Sequence, residues 1–206
     1  MKKLPIVGVM GSGARAHADL AEPLGRRLAA LRVHLLTGGG RGVMASVSRA
    51  FAEVEGRAGL VIGILPHLEA DGGPASPPGY PNRWVELPVR TQLGKEGAEP
   101  DSRNHVNVLT SDVVVALPGS LGTASEVDLA IRYGRPLILL GDLERARSLP
   151  RPVATASTVD EVIAFVRRSL LAADRPGSVP EASPPPAPQQ RQPAAPAPPP
   201  EGGAQQ

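Results

Sequence analysis

An α/β fold, a doubly wound parallel sheet with helices on both faces in a single domain, is what the sequence predicts. Three observations point to it. Short, continuous aliphatic runs such as IVGVM, LVIGIL and VVVAL recur along the chain, and strands buried on both faces read this way. Amphipathic helical patterns alternate with them, the arrangement of strand and crossover helix. Gly-rich breaks, GSGA, GGGRG and PGSLG, fall between a strand and the helix after it, where open α/β sheets bind ligands.

Ile6–Met10 is the first strand, and a helix follows with Leu20, Leu24, Leu28 and Leu31 on one face; Pro23 is expected near enough to its start to be tolerated. Val33–Thr37 is the second strand, followed by GGGRG and a helix with Val43, Val47, Ala50 and Val54 at helical spacing. Leu60–Leu65 is a third strand, and residues 66 to 83 form a long polar, proline-rich connection. WVELPV reads as a short strand and SRNHVNVLTSD as a helix. DVVVAL leads through PGSLG to the helix ASEVDLAIRYG. PLILLG is a further buried strand, and STVDEVIAFVRRSLLA closes the fold as an amphipathic helix.

Composition bounds the rest. The folded part is expected to span residues 1–172 of 206, enough for one sizeable core. Residues 173–206, rich in Pro and Ala, hold almost nothing large and apolar, and such a segment cannot offset its ordering entropy. A disordered, partly polyproline II tail is expected there. Only 2% of residues are aromatic, which argues against nucleic-acid binding by base stacking. The formal net charge is +2, and Arg26, Arg27 and Arg32 are expected on one helix with acidic neighbours, as a solvated face. With 0 cysteines there is no thiolate metal site or thiol nucleophile, in keeping with a cytoplasmic protein. MKK ahead of LPIVGVM and ARA has the outline of a signal peptide, but Pro5 and Gly8 interrupt the run and a buried strand explains it. No segment reaches the length of a membrane span. His17, His34, His67 and His105 are scattered without ligand spacing, so no protein-ligated metal is expected.

Three glycine loops on one predicted edge make a phosphorylated small molecule the expected ligand. They comprise Gly11, Ser12 and Gly13; Gly38, Gly39, Gly40, Arg41 and Gly42; and Pro118, Gly119, Ser120, Gly122 and Thr123. Each is expected to turn free backbone N–H groups and a positive helix end toward the rim. Arg41, after three glycines, is a candidate anion contact. GSGARA fits a permissive dinucleotide fingerprint, but no Asp or Glu lies between Glu22 and Glu53 to hold ribose hydroxyls. An NAD site is therefore not expected, nor is a Walker loop or a nucleophile elbow present. Tyr80 and Trp84 can stack on a planar ring. Thr123–Glu126 has the Thr-x-x-Glu spacing of a capping box, as does Thr158–Glu161 before the last helix. Capping accounts for Glu126 on local grounds; its place on the rim of the ligand edge adds a functional reading.

LPGSLGTASE resembles the PGGxGTxxE motif of the SLOG superfamily, a Rossmann-like group that holds the Lonely Guy (LOG) phosphoribohydrolases, once labelled lysine decarboxylases, and the molybdenum cofactor carrier proteins. The resemblance runs from VGVMGSG through LTGGGRGVM and SRNHVNVLTSDVVVALPG to RYGRPLILL. For a LOG enzyme it implies hydrolysis of the N-glycosidic bond of a nucleoside 5′-monophosphate to free base and ribose 5-phosphate. Arg103 and Glu126 would then be the catalytic pair: a carboxylate stabilises an oxocarbenium-like state and a guanidinium grips phosphate. Ser120 replaces the second motif glycine, Asn104 the lysine after Arg103, and Ser125 an acid before Glu126. With the segment PNRWVELPVRTQLGKEGAEPDSRNHVNVL, these departures make the chain more similar to the carrier branch. That likeness implies a pterin phosphate carrying molybdenum, the molybdenum cofactor, as carried ligand, and a homo-oligomer.

Overall fold

The computed structural model describes residues 3–173 except 71, 72, 76, 95, 96, 98, 101 and 142. A seven-stranded sheet forms its centre, made from β1 (Ile6–Met10), β2 (His34–Thr37), β3 (Val61–Leu65), β6 (Leu87–Arg90), β7 (Val113–Ala116), β8 (Leu137–Leu140) and β9 (Ala154–Ala156). Their order is β6-β3-β2-β1-β7-β8-β9, and every pair is parallel. From β1 the chain winds one way through β2 and β3 to β6, and from β7 the other way through β8 to β9. The winding reverses between β1 and β7, so the crevice at their carboxyl ends is the topological switch point.

Alternation along the strands divides the core into two layers. Val7, Val9, Val113, Val115, Ile138 and Leu140 face one side. There they meet α1 (Ala18–Ala29), α2 (Val43–Ala52) and α6 (Val159–Ala173), which contribute Leu24, Leu28, Val47, Phe51, Val162 and Val166. Met10, Val114, Ala116, Leu137 and Leu139 face the other side, against α3 (Asn104–Thr110) and α4 (Leu121–Arg132) with Val108, Val127, Leu129 and Ala130.

Several expectations shift. Pro23 lies inside α1, in its second turn, so the bond it would have donated to the Asp19 carbonyl is missing. Leu31 and Arg32 fall beyond the end of α1, and Val54 beyond the end of α2. The strand expected over WVELPV begins only at Leu87, runs on to Arg90 and forms an exposed edge. The connection over 66 to 83 contains an antiparallel pair, β4 (Leu68–Ala70) with β5 (Gly73–Ala75). Also additional to the sequence reading are α5 (Leu143–Ser148) and β9; β9 is only three residues long and carries no aliphatic run to announce it. The predicted tail over 173–206 lies outside the described residues except for Ala173, which ends α6. Among the described residues no helix is long and apolar enough to cross a membrane.

Candidate functional site

At the switch point the loops after β1 and β7 are tied together. The Ser12 N–H donates to the Pro118 carbonyl at 3.3 Å and the Leu117 N–H to the Met10 carbonyl at 2.9 Å. Above them opens a cavity of about 390 Å³, within the range of roughly 300–1,000 Å³ typical of small-molecule sites. One wall is Gly11, Gly13, Ala14, Gly38, Arg41 and Met44; the other is Arg103, Asn104, Ser120, Gly122, Thr123 and Glu126. The connection over 66 to 83 brings Pro78 and Tyr80 to the same cavity.

The three glycine loops differ in what they offer. In the first, Ser12 turns inward, 7% exposed, and its Oγ accepts from the Ala14 and Arg15 amides at 3.2 and 2.9 Å. Because α1 begins only at Ala18, this loop supplies no helix N-terminus, contrary to the expectation. In the second loop the Gly39 N–H donates to Thr37 Oγ1 at 3.1 Å. The carbonyls of Gly39 and Gly40 accept from the main-chain N–H and side-chain Nδ2 of Asn82. These bonds hold the loop's shape, and Gly39, Gly40 and Gly42 do not line the cavity. Gly42 is fixed by geometry: its φ is +62° and a Cβ would lie 2.2 Å from the Ser12 carbonyl.

The third loop is open. Helix α4 begins at Leu121, with Ser120 extended (φ −96°, ψ −160°) and making no side-chain cap. Its first bond of the i→i−4 ladder runs from the Ala124 N–H to the Ser120 carbonyl, so the amides of Leu121, Gly122 and Thr123 precede the ladder. Pro118 and Gly119 do not line the cavity; Gly119 is packed so closely that a Cβ would fall 2.1 Å from Thr123 Oγ1.

This helix start overturns the capping box at Thr123–Glu126. Thr123 is the third helical residue and Glu126 the sixth, too far along to reach an N-cap amide. Glu126 is instead buried, 8% exposed, and accepts from Asn107 Nδ2 at 2.7 Å. Burial pushes its carboxyl up to about 7, against the pull of the Asn107 hydrogen bond and the Arg103 charge. At Thr158–Glu161 the box does form: Glu161 Oε2 accepts from the Ser157 and Thr158 amides, and the Glu161 N–H donates to Thr158 Oγ1.

Arg103 sits at the N-cap position of α3 and is 5% exposed. Its Nη1 donates to the carbonyls of Gly38 and Ile64, and its guanidinium lies 5.4 Å from the Tyr80 ring centroid. A side chain on Gly38 would strike it, since a Cβ there would lie 2.7 Å from Nη1. Arg103 therefore joins the start of α3 to the carboxyl ends of β2 and β3 and brings its charge to the cavity wall. Asn104 and Ser125, two departures from the resembled motif, are partners: Asn104 Nδ2 donates to Ser125 Oγ at 2.7 Å and to the Gly97 carbonyl at 3.2 Å.

Of the ring-stacking candidates, Tyr80 lines the cavity; Trp84 does not, and carries the Arg83 guanidinium 4.9 Å from its ring centroid. Val9, Met10, Ala14, Met44 and Pro78 also line it. These, and the buried polar residues Asn82 and Asn107, escape a sequence reading because their roles depend on contacts between distant segments. His105 lies 2.6 Å by Nδ1 from the Tyr133 hydroxyl. Among the described residues no group of three or more His, Asp or Glu could hold a metal ion.

A parallel, doubly wound sheet with a cavity at its switch point, flanked by an uncapped helix start, defines a Rossmann-like protein. More narrowly, the chain belongs to the SLOG cluster4 family, whose sequence profile matches residues 4–171. Among solved structures it is similar to the molybdenum cofactor carrier protein of Chlamydomonas reinhardtii, at 32% identity and a TM-score of 0.65, covering 82% of this chain and 99% of that one. It is also similar to a molybdenum cofactor binding protein of Rippkaea orientalis, at 33% identity and a TM-score of 0.64, with the same coverage of 82% and 99%. A cytokinin riboside 5′-monophosphate phosphoribohydrolase of Rhodococcoides fascians is 28% identical over 149 residues, 69% of this chain and 68% of that protein.

Proposed function

We propose that this protein binds a phosphate-bearing, nucleotide-like small molecule in the manner of a molybdenum cofactor carrier. The observation that carries the reading is the start of α4, where Ser120 caps nothing and three amides precede the helical ladder beside the cavity. An anion there is favoured by the amides and by the helix dipole. Arg41 and Arg103 add positive charge on either side, and Tyr80 offers a ring face. The donor set suits the phosphate and ring of a pterin: it holds by hydrogen bonds and charge, with no thiolate to ligate the metal. Likeness to the two cofactor-binding structures points the same way. A homo-oligomer in the cytoplasm, handling no nucleic acid, completes this reading.

Mass spectrometry and elemental analysis of the purified protein's retained ligand test it. A pterin together with molybdenum is the expected result; a nucleotide without molybdenum would overturn the carrier reading. One observation favours a second reading, a LOG-type phosphoribohydrolase. Glu126 is free of capping and lies in the cavity with a carboxyl near neutrality, as acid–base work on a glycosidic bond needs. Incubation with AMP tests this: adenine release abolished in Glu126→Gln supports the hydrolase, and no release removes AMP hydrolysis from consideration.

A further inference from the structure

Asn107, on α3, is fully buried and directs its side-chain amide at the cavity carboxyl, Nδ2 donating to Glu126 Oε1 at 2.7 Å. Its Oδ1 is buried with no hydrogen-bond partner among the described residues. The nearby hydroxyl of Ser111 does not relieve it, because Ser111 Oγ donates to the Asn107 main-chain carbonyl at 2.7 Å. A buried carbonyl without a donor is costly, and such an atom in a native fold calls for a reason.

We propose that Asn107 is a positioning residue that keeps the Glu126 carboxyl hydrogen-bonded in both protonation states by turning its amide over. With Glu126 ionised, the carboxylate accepts from Nδ2, as seen here. With Glu126 protonated, its hydroxyl becomes a donor, and half a turn about χ2 of Asn107 presents Oδ1 in the same place. That torsion is broad and roughly two-fold, and the two amide atoms are nearly equal in size. Asn107 neither gains nor loses a proton; the proton enters and leaves Glu126 through the cavity that Glu126 lines.

The surroundings leave both forms within reach. Arg103, at the start of α3, favours the ionised form and burial favours the neutral one. Arg41 faces the same cavity from the loop after β2. The strands packed on α4, β7 and β8, carry no ionisable side chain. On α3, His105 pairs with Tyr133; on α4 itself, Asp128 is exposed. The inference rests on Glu126 belonging to the proposed site, whichever phosphorylated ligand fills it.

Carbon-13 NMR titration of the Glu126 carboxyl in the full chain tests the assignment, with the Asn107 side-chain amide followed in the same samples. In the wild type the Asn107 amide resonances are expected to move with the Glu126 midpoint. Asn107→Leu should raise that midpoint by about one pH unit, since the charge-assisted bond lost from the carboxylate is stronger than the neutral bond lost from the protonated acid; Asn107→Asp should raise it further by like charge. An unchanged midpoint in both variants, or wild-type Asn107 resonances that stay flat through the titration, would overturn the proposal. The wild-type measurement decides the matter if the variants do not fold. Titration of inorganic phosphate into the same protein separates the two ideas: failure to bind counts against the proposed function and leaves the Asn107 result standing.

Discussion

At the scale of a residue, Glu126 is a carboxyl whose surroundings work against its charge. Its ordinary value is 4.5 and burial raises it to about 7. Between those values the folded chain holds a proton that the unfolded chain has released, so this group's contribution falls as pH rises through that window. Below about 4.5 both states are neutral and nothing is lost; above about 7 the whole penalty is present. The separation corresponds to on the order of 3 kcal/mol as an upper limit. Glu126→Gln should therefore be more stable than the wild type in urea denaturation at pH 8, by up to that amount, and equal to it at pH 4. Equal stability at both pH values would show that Glu126 is not held neutral by burial. Stability given up at a cavity wall is common at functional sites. The sequence displayed this glutamate but not its environment: Thr123-x-x-Glu126 and Thr158-x-x-Glu161 are the same local pattern, and only the place where each helix begins separates a buried carboxyl from a cap.

At the scale of the element, that difference in helix start gives a paired prediction. Thr158 Oγ1 accepts from the Glu161 amide at the start of α6. Thr158→Ala should cost about 1 kcal/mol, as loss of an N-cap does, and should leave phosphate affinity unchanged. Thr123 caps nothing, is buried against Gly119 and lines the cavity. Thr123→Ala should cost less in thermal denaturation but weaken phosphate binding several-fold in calorimetry, on the order of the 0.5–1.5 kcal/mol of one hydrogen bond. If both variants behaved alike, the distinction between the two helix starts would fail. Strand and helix periodicity was legible for the long elements because their burial is two-sided or one-sided along a regular period. The loops were legible only as glycine-rich. Which amides they spend on themselves, as Ser12 does for Ala14 and Arg15, depends on side-chain rotamers that composition does not carry.

At the scale of the whole molecule, the cavity is a seam between two separately built layers. Helices α1 and α2 lie on one face of the sheet, and α2 begins at the loop carrying Arg41. Helices α3 and α4 lie on the other face and hold Arg103, Asn107 and Glu126. The doubly wound pattern in the sequence placed the glycine loops on one edge, but pairing Arg103 with the carbonyls of Gly38 and Ile64 takes the folded sheet. Gly25 gives access to one layer alone: a Cβ there would lie 2.6 Å from the Val47 carbonyl and 3.1 Å from the Phe51 amide. Both are backbone atoms, so the helices must separate. Gly25→Val should destabilise the protein by about 1–3 kcal/mol, the usual cost of overpacking. Because Val43, the first residue of α2, donates to the Ser12 carbonyl at 2.9 Å, the displacement reaches both glycine loops of that layer. Phosphate affinity should fall in calorimetry while the NMR midpoint of Glu126, set by α3 and α4, stays at its wild-type value. A midpoint that moved together with the affinity would mean that the two walls of the cavity are mechanically one.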